Sequence, residues 1–257
     1  MILAIDIGNT SIVIGCIRNE EILFVEHLST DVTKTVLEYA ISFKNVLEMY
    51  QMNPKEIEGS IISSVVPQVT NSVREAARKI TNQEVMVVGP GIKTGLNILM
   101  DNPAQLGSDL AVNAVAGIAE YKVPLIIFDL GTATTISVVD NKKNYIGTII
   151  LPGIQVSVDS LIKRTSQLPS ISLEAPKKLI GTNSIDCMKS GVIYGNAACM
   201  DGMVQRIRQE LGEEATVIAT GGLAKSIVPH CKERIIYDDA LLLKGLLQIY
   251  KKNRNNK

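Results

Sequence analysis

The sequence predicts an α/β layer fold in two halves built on one plan, and three observations carry that prediction. Aliphatic and β-branched runs alternate with stretches of helical spacing along the whole chain. The run Leu3-Ala4-Ile5-Asp6-Ile7-Gly8 returns as Leu125-Ile126-Ile127-Phe128-Asp129-Leu130-Gly131, so Asp6 and Asp129 stand 123 positions apart in the same local pattern. With 257 residues, 46% of them apolar, the chain can bury one large core or two ordinary ones. The break is placed near Gly117, giving a first domain of residues 1–116 and a second of 117–257.

The elements follow in order from pattern and punctuation. Residues 2–8 form an apolar strand closed by Gly8 and Asn9, residues 11–17 resume as a second strand, and residues 22–25 add a third. Residues 33–52 carry Val36, Ala40, Phe43 and Leu47 at helical spacing with charges between them, which predicts an amphipathic helix. A β-branched strand at 60–66, a helix at 69–80 and a strand at 85–88 come next. Turn residues crowd 89–103 and predict a long loop, followed by a helix at 108–121 with Ser108 as its N-cap. The second half repeats the scheme with strands at 125–131, 134–139 and 145–151 and a helix at 156–164. A loop passes through Pro169 and Pro176 to a long helix at 185–211, where Gly191, Gly195 and Gly202 lower intrinsic helicity. A strand and glycine turn at 217–223, a closing helix at 239–250 and a solvated basic tail at 251–257 complete the chain.

Composition removes several classes of function. Lys plus Arg and Asp plus Glu number 26 each, so no net field favours nucleic acid or an anionic membrane, and small molecules or neutral protein surfaces are the expected partners. The opening apolar run is broken by Asp6 and too short to span a bilayer, which points to a cytoplasmic protein. Cys16, Cys187, Cys199 and Cys231 lie far apart without a CxxC, so neither zinc nor a disulfide framework is expected. His27 and His230 are the only histidines, and neither sits in a catalytic motif. Carboxylates, hydroxyls and backbone amides remain to do chemistry.

Those groups concentrate in the two repeated turns. A phosphate needs N–H donors without side-chain bulk in front of them, and Gly8 and Gly131 supply that approach, with Thr10, Thr132, Thr134 and Thr135 adding hydroxyls. Asp6 and Asp129 beside phosphates call for a cation between them, most simply Mg²⁺ on ATP. One such turn alone can be an ordinary hairpin, whereas two in equivalent places, with Thr220-Gly221-Gly222 offering bare backbone to an adenosine, point to a metal–nucleotide site. Asp109, at the start of a helix, could accept the proton of an attacking hydroxyl or simply stabilise the helix. Position alone leaves both open.

From Met1 to about Tyr250 the chain resembles type III pantothenate kinase, of the actin, sugar-kinase and heat-shock chaperone superfamily. The motifs are Asp6-Ile7-Gly8-Asn9-Thr10, Ser63-Ser64-Val65-Val66-Pro67, Gly89-Pro90-Gly91-Ile92-Lys93-Thr94-Gly95, Asp129-Leu130-Gly131-Thr132-Ala133-Thr134-Thr135, Pro152-Gly153-Ile154 and Ala219-Thr220-Gly221-Gly222-Leu223. The resemblance implies an α/β fold of duplicated ribonuclease-H-like (actin-like ATPase) domains with a nucleotide cleft between them, a homodimer, and ATP-dependent phosphorylation of pantothenate, the first step toward coenzyme A. It also implies roles. Asp6, Ile7, Gly8, Asn9, Thr10, Ser11, Ile12 and Val13 would form the phosphate loop, Thr132 an ATP contact, Asp129 the ligand of a monovalent cation (K⁺ or NH₄⁺), and Asp109 the general base. Mg²⁺ would travel with the nucleotide.

On the acceptor side the resemblance implies contacts from Met100, Gly107, Ser108, Asp109, Leu110 and Ser184. Here the chain departs from the family's pattern. Gly107-Ser108-Asp109-Leu110 stands in place of Gly-Ala-Asp-Arg, Met100 in place of a tyrosine, and Ser184 in place of a threonine. Losing a hydrogen bond to a charged or polar substrate costs about 1.5–3 kcal/mol. Arg164 is a substitute cation or a solvated helix charge. A nucleotide-binding regulatory paralogue, and a kinase of another hydroxyl-bearing acceptor, therefore stay open beside pantothenate kinase.

Overall fold

A computed structural model describes residues 1–254. In chain order it contains β1 (Ile2–Ile7), β2 (Ser11–Arg18), β3 (Glu21–Ser29), α1 (Val36–Met49), β4 (Gly59–Ser64), α2 (Pro67–Thr81), β5 (Val85–Val87), β6 (Asn97–Ile98) and α3 (Ser108–Glu120). There follow β7 (Leu125–Leu130), β8 (Ala133–Val139), β9 (Asn144–Pro152), α4 (Ile154–Arg164), α5 (Ser184–Leu211), β10 (Thr216–Thr220), α6 (Ala224–Ile227), β11 (Ile236–Tyr237) and α7 (Leu241–Arg254). Helix α1 starts where a capping box forces it to: Thr35 Oγ1 accepts from Glu38 N while the Glu38 carboxylate accepts from Thr35 N. The tail expected from residue 251 is helical through Arg254, and residues 255–257 of that expectation lie outside the described residues.

The duplication read from the sequence reappears as topology. The first sheet runs β3-β2-β1-β4-β5 and the second β11-β10-β7-β8-β9-β6. In the first, β1 is antiparallel to β2 and parallel to β4; in the second, β7 is antiparallel to β8 and parallel to β10. Reversing one list superposes the two, with β6 as the addition. That short strand comes from the expected 89–103 loop and pairs parallel with β9.

Two compact units result. The first comprises residues 1–96, 104–116 and the chain from Leu241, and the second comprises 97–103 and 117–240. The expected division into 1–116 and 117–257 is thus corrected at two places, most of all at α7. The reason is hydrophobic. In β1, Leu3, Ile5 and Ile7 enter one core with Tyr39, Phe43 and Val73 of α1 and α2. On the alternate face, Ile2 and Ala4 join Ile61 and Val112, and α7 supplies Leu243, Leu246 and Leu247 there. Without α7 only α3 would cover that face of the sheet. In the second unit Ile126, Phe128 and Leu130 of β7 face Ile154 of α4 and Ile193, Ala197 and Val204 of α5. Among the described residues no helix is long and apolar enough to cross a membrane.

Candidate active site

In the first unit, the pleat of β1 decides where Asp6 points. Residues 2, 4 and 6 share a face, so Asp6 lies on the side where Val112 of α3 packs, and it is 9% exposed. Its neighbour across the parallel pair is Ser63, and Ile7 is opposite Ser64. The turn that follows is closed by Gly8 N donating to Ser11 O at 3.0 Å. Asn9 and Thr10 are exposed at its tip, whereas Ile7 and Ile12 are fully buried in the core. Of the eight residues 6–13 expected to form the phosphate loop, those two can therefore offer a ligand only backbone.

Thr30, which the sequence reading did not single out, buckles this turn. Its hydroxyl donates to Gly8 O at 2.6 Å and its N–H to Thr10 O at 3.1 Å. Nothing local marks such a residue, because its partners lie some twenty positions back. Replacing Thr30 by Val removes the hydroxyl bond but keeps the shape, at a cost of about 1 kcal/mol. The expected result is a roughly fivefold higher KM for ATP, restored by Thr30→Ser; steady-state kinetics on the three proteins checks it.

Helix α3 carries Asp109 in its first turn. The expected cap at Ser108 is corrected: Gly107 O accepts from Ala111 N at 3.1 Å, so Gly107 occupies the cap position. The Ser108 hydroxyl instead turns to β4, donating to Ser64 O at 2.9 Å and accepting from Ser64 N at 3.1 Å, with Ser63 Oγ at 3.0 Å. One donor and two acceptor sites are all a serine hydroxyl has, so this side chain has none left for a substrate. A Cβ on residue 107 would stand 2.5 Å from Asp109 Oδ1, so a larger residue there would move the carboxylate. Burial pushes the Asp109 carboxyl above its ordinary value, partly offset by the N–H groups of Leu110 and Asp109. Leu110 is only 8% exposed and packs as an interior side chain.

The second unit repeats the arrangement. Asp129 occupies the same place in β7 as Asp6 in β1, and Gly131 N donates to Ala133 O at 3.1 Å to close a tighter turn. Thr132 is exposed on it, and Gly153 N donates to Thr132 O at 3.1 Å from the start of α4. Thr135 is the antiparallel partner of Asp129 and shares its face, and the Thr135 hydroxyl is buried with no hydrogen bond from the protein. An oxygen of that kind beside a carboxylate makes a set of hard oxygen donors. Gly221 turns with φ +93 against Asp129 and Leu130, whereas a Cβ on Gly222 would meet nothing within 4 Å, so that stretch of backbone is open to a ligand.

Ser184 is exposed at the first position of α5, where Asn183 Oδ1 caps the helix by accepting from Asp186 N at 3.0 Å. It lines a groove of about 800 Å³ with Ile154, Val158, Leu161, Met188 and Val192. Met100 is half-buried in the segment 97–103, and Arg164 is exposed at the end of α4. Among the described residues no cluster of three or more His, Cys, Asp or Glu side chains could hold a metal by itself.

Comparison with known proteins bears on the family and the fold of the whole chain. Residues 2–206 match the family model for type III pantothenate kinase. A type III pantothenate kinase of an Exiguobacterium species is 46% identical over 99% of this chain and 100% of its own length, and one of Halalkalibacterium halodurans is 44% identical over 98% and 100%. Among solved structures, (R)-2-hydroxyglutaryl-CoA dehydratase component A of Acidaminococcus fermentans superposes with a TM-score of 0.59 at 16% identity, covering 99% of this chain and 98% of that one. That last likeness is one of fold.

Proposed function

The chain belongs to the type III pantothenate kinase family, which phosphorylates pantothenate with ATP in coenzyme A biosynthesis, and we propose that it does so with Asp109 as general base. The observation that carries this assignment lies within the first unit. Ser63 is the strand partner of Asp6 and is hydrogen-bonded to Ser108, next to Asp109, so the phosphate turn and the carboxylate are built on one rigid post. In the proposed step Asp109 takes the proton of the pantothenate primary hydroxyl as its oxygen attacks the γ-phosphorus. The bond from that phosphorus to the β–γ bridging oxygen breaks, and ADP leaves.

The backbone of residues 8–11 and the hydroxyls of Thr10 and Thr132 would hold the phosphates, and Asp6 would face their divalent cation. A divalent ion supplies charge neutralisation on the transferring group. Asp129 and Thr135 would hold K⁺ or NH₄⁺ through oxygen, and Ser184 would contact the acceptor. Its assembly would be a homodimer, as the family resemblance implies.

Purified protein given ATP, Mg²⁺, K⁺ and pantothenate is expected to make phosphopantothenate, measured by mass spectrometry. Exchange of K⁺ for Na⁺ is expected to cut kcat about tenfold or more. No product above an Asp109→Asn control would sink the reading.

A further inference from the structure

We propose that Ser108 is a positioning residue, whose hydroxyl pins the first turn of α3, and Asp109 with it, to the end of β4 beside Asp6. This rests on the reading of Asp109 as the base. The proton inventory fixes the direction of every bond in the network. The one proton of Ser108 goes to Ser64 O at 2.9 Å, so Ser63, 3.0 Å away, must donate to Ser108. The proton of Thr70 goes to Val66 O at 2.9 Å, so Ser64 Oγ must donate to Thr70 Oγ1 across 2.7 Å, while it accepts from Val66 N at 3.1 Å. The end of β4 thus serves as a common post. Helix α2 is tied to it through Thr70 and α3 through Ser108.

This arrangement has a reason in helix chemistry. The first turn of a helix has N–H groups without carbonyl partners and is the part that frays first. Gly107 at the cap position has no side chain to hold that turn, and the clasp through Ser108 does it from the side. Ser63 is 0% exposed, so water does not replace the bond if Ser108 lets go. Asp109 needs the turn intact, because its carboxylate leans on the N–H groups of Leu110 and of Asp109 itself. Burial and those two N–H groups set its titration, and no charged side chain contributes; in a loosened turn, water access lowers the pKa and loss of the N–H groups raises it, and burial is the larger cause.

The test is Ser108→Ala in the full chain, with steady-state kinetics from acid to neutral pH. Expected are a roughly tenfold lower kcat, a KM for ATP within about twofold of the original, and an acid limb of kcat moved to lower pH as water reaches Asp109. Ser63→Ala, which removes one bond from the opposite side, is expected to shift both quantities in the same direction by less, and it serves if Ser108→Ala does not fold. Unchanged kcat and unchanged acid limb in a folded variant overturn the proposal, even if its Tm falls. Asp109→Asn separates the two readings. If that variant stays active the base assignment fails, and if it is inactive while Ser108→Ala behaves like the parent, only the clasp fails.

Discussion

Asp109→Asn is expected to lower kcat by about 10²–10⁴-fold while leaving the KM for ATP within roughly twofold. The amide keeps the size and shape of the carboxyl but cannot accept a proton at neutral pH. The stability of the fold should move the other way. Burial disfavours the charged carboxylate, so its folded-state pKa lies above the ordinary 3.8. A group shifted in that direction favours the fold while protonated, and that advantage is lost as pH rises from 3.8 through the raised pKa. At neutral pH the chain bears the full cost of an ionised buried acid. Asn removes the cost, so a thermal melt at pH 7 should show an equal or higher Tm beside the collapsed kcat. For the unaltered enzyme, kcat should fall on acidification at a pH above the usual carboxylate value. A variant that loses Tm and activity together would make Asp109 a structural residue.

Gly221→Ala should be a strongly damaging small substitution in the second unit. Residue 221 has φ +93, where an L side chain costs about 1–2 kcal/mol. The added Cβ would also sit 2.6 Å from Asp129 Oδ1 and 2.7 Å from Leu130 N. One of these is backbone at the end of β7 and the other is the carboxylate assigned to the monovalent cation, so relief has to shift Asp129 together with the end of its strand. We expect a loss of roughly 2–4 kcal/mol, about 5–10 °C in Tm for a chain of this size, together with a weakened response of kcat to K⁺. Gly222→Ala is the control, since its Cβ meets nothing within 4 Å. It should leave Tm nearly unchanged and, if an adenosine lies on that backbone, raise the KM for ATP. Equal melts for the two variants would remove the steric argument.

The repeated strand and turn could be read from the chain because an Asp followed by an aliphatic residue and a glycine is a local signal, and it occurs twice in equivalent surroundings. Helix α1 was readable because the spacing of Val36, Ala40, Phe43 and Leu47 is also a local signal. What could not be read depends on distance along the chain. Ser63 and Ser108 are 45 positions apart, and nothing around either says that its hydroxyl is engaged. The sequence pattern made Ser108 a cap because a serine before an apolar helix usually is one. A glycine whose carbonyl accepts from Ala111 N took that place, and a tertiary bond claimed the serine. Strands β6 and β11 are two residues long, too short to show a period. Helix α7 was legible as a helix, but its destination was not, since any sheet face could have used Leu243, Leu246 and Leu247. Gly221 was noted as bare backbone for a ligand, whereas its close approach is to Asp129 and Leu130.

The placement of α7 also sets an order of assembly. The second unit is encoded almost entirely inside the first, so a chain leaving the ribosome has all of residues 117–240 in hand before the helix that covers Ile2, Ala4 and Ile61 exists. The strands made first are therefore the ones that wait longest with an apolar face uncovered. Closing them requires a contact between the beginning of the chain and its last helix, the kind of long loop closure that slows folding. In a newborn chain, the nested unit can settle while the enclosing one is still looking for its final piece.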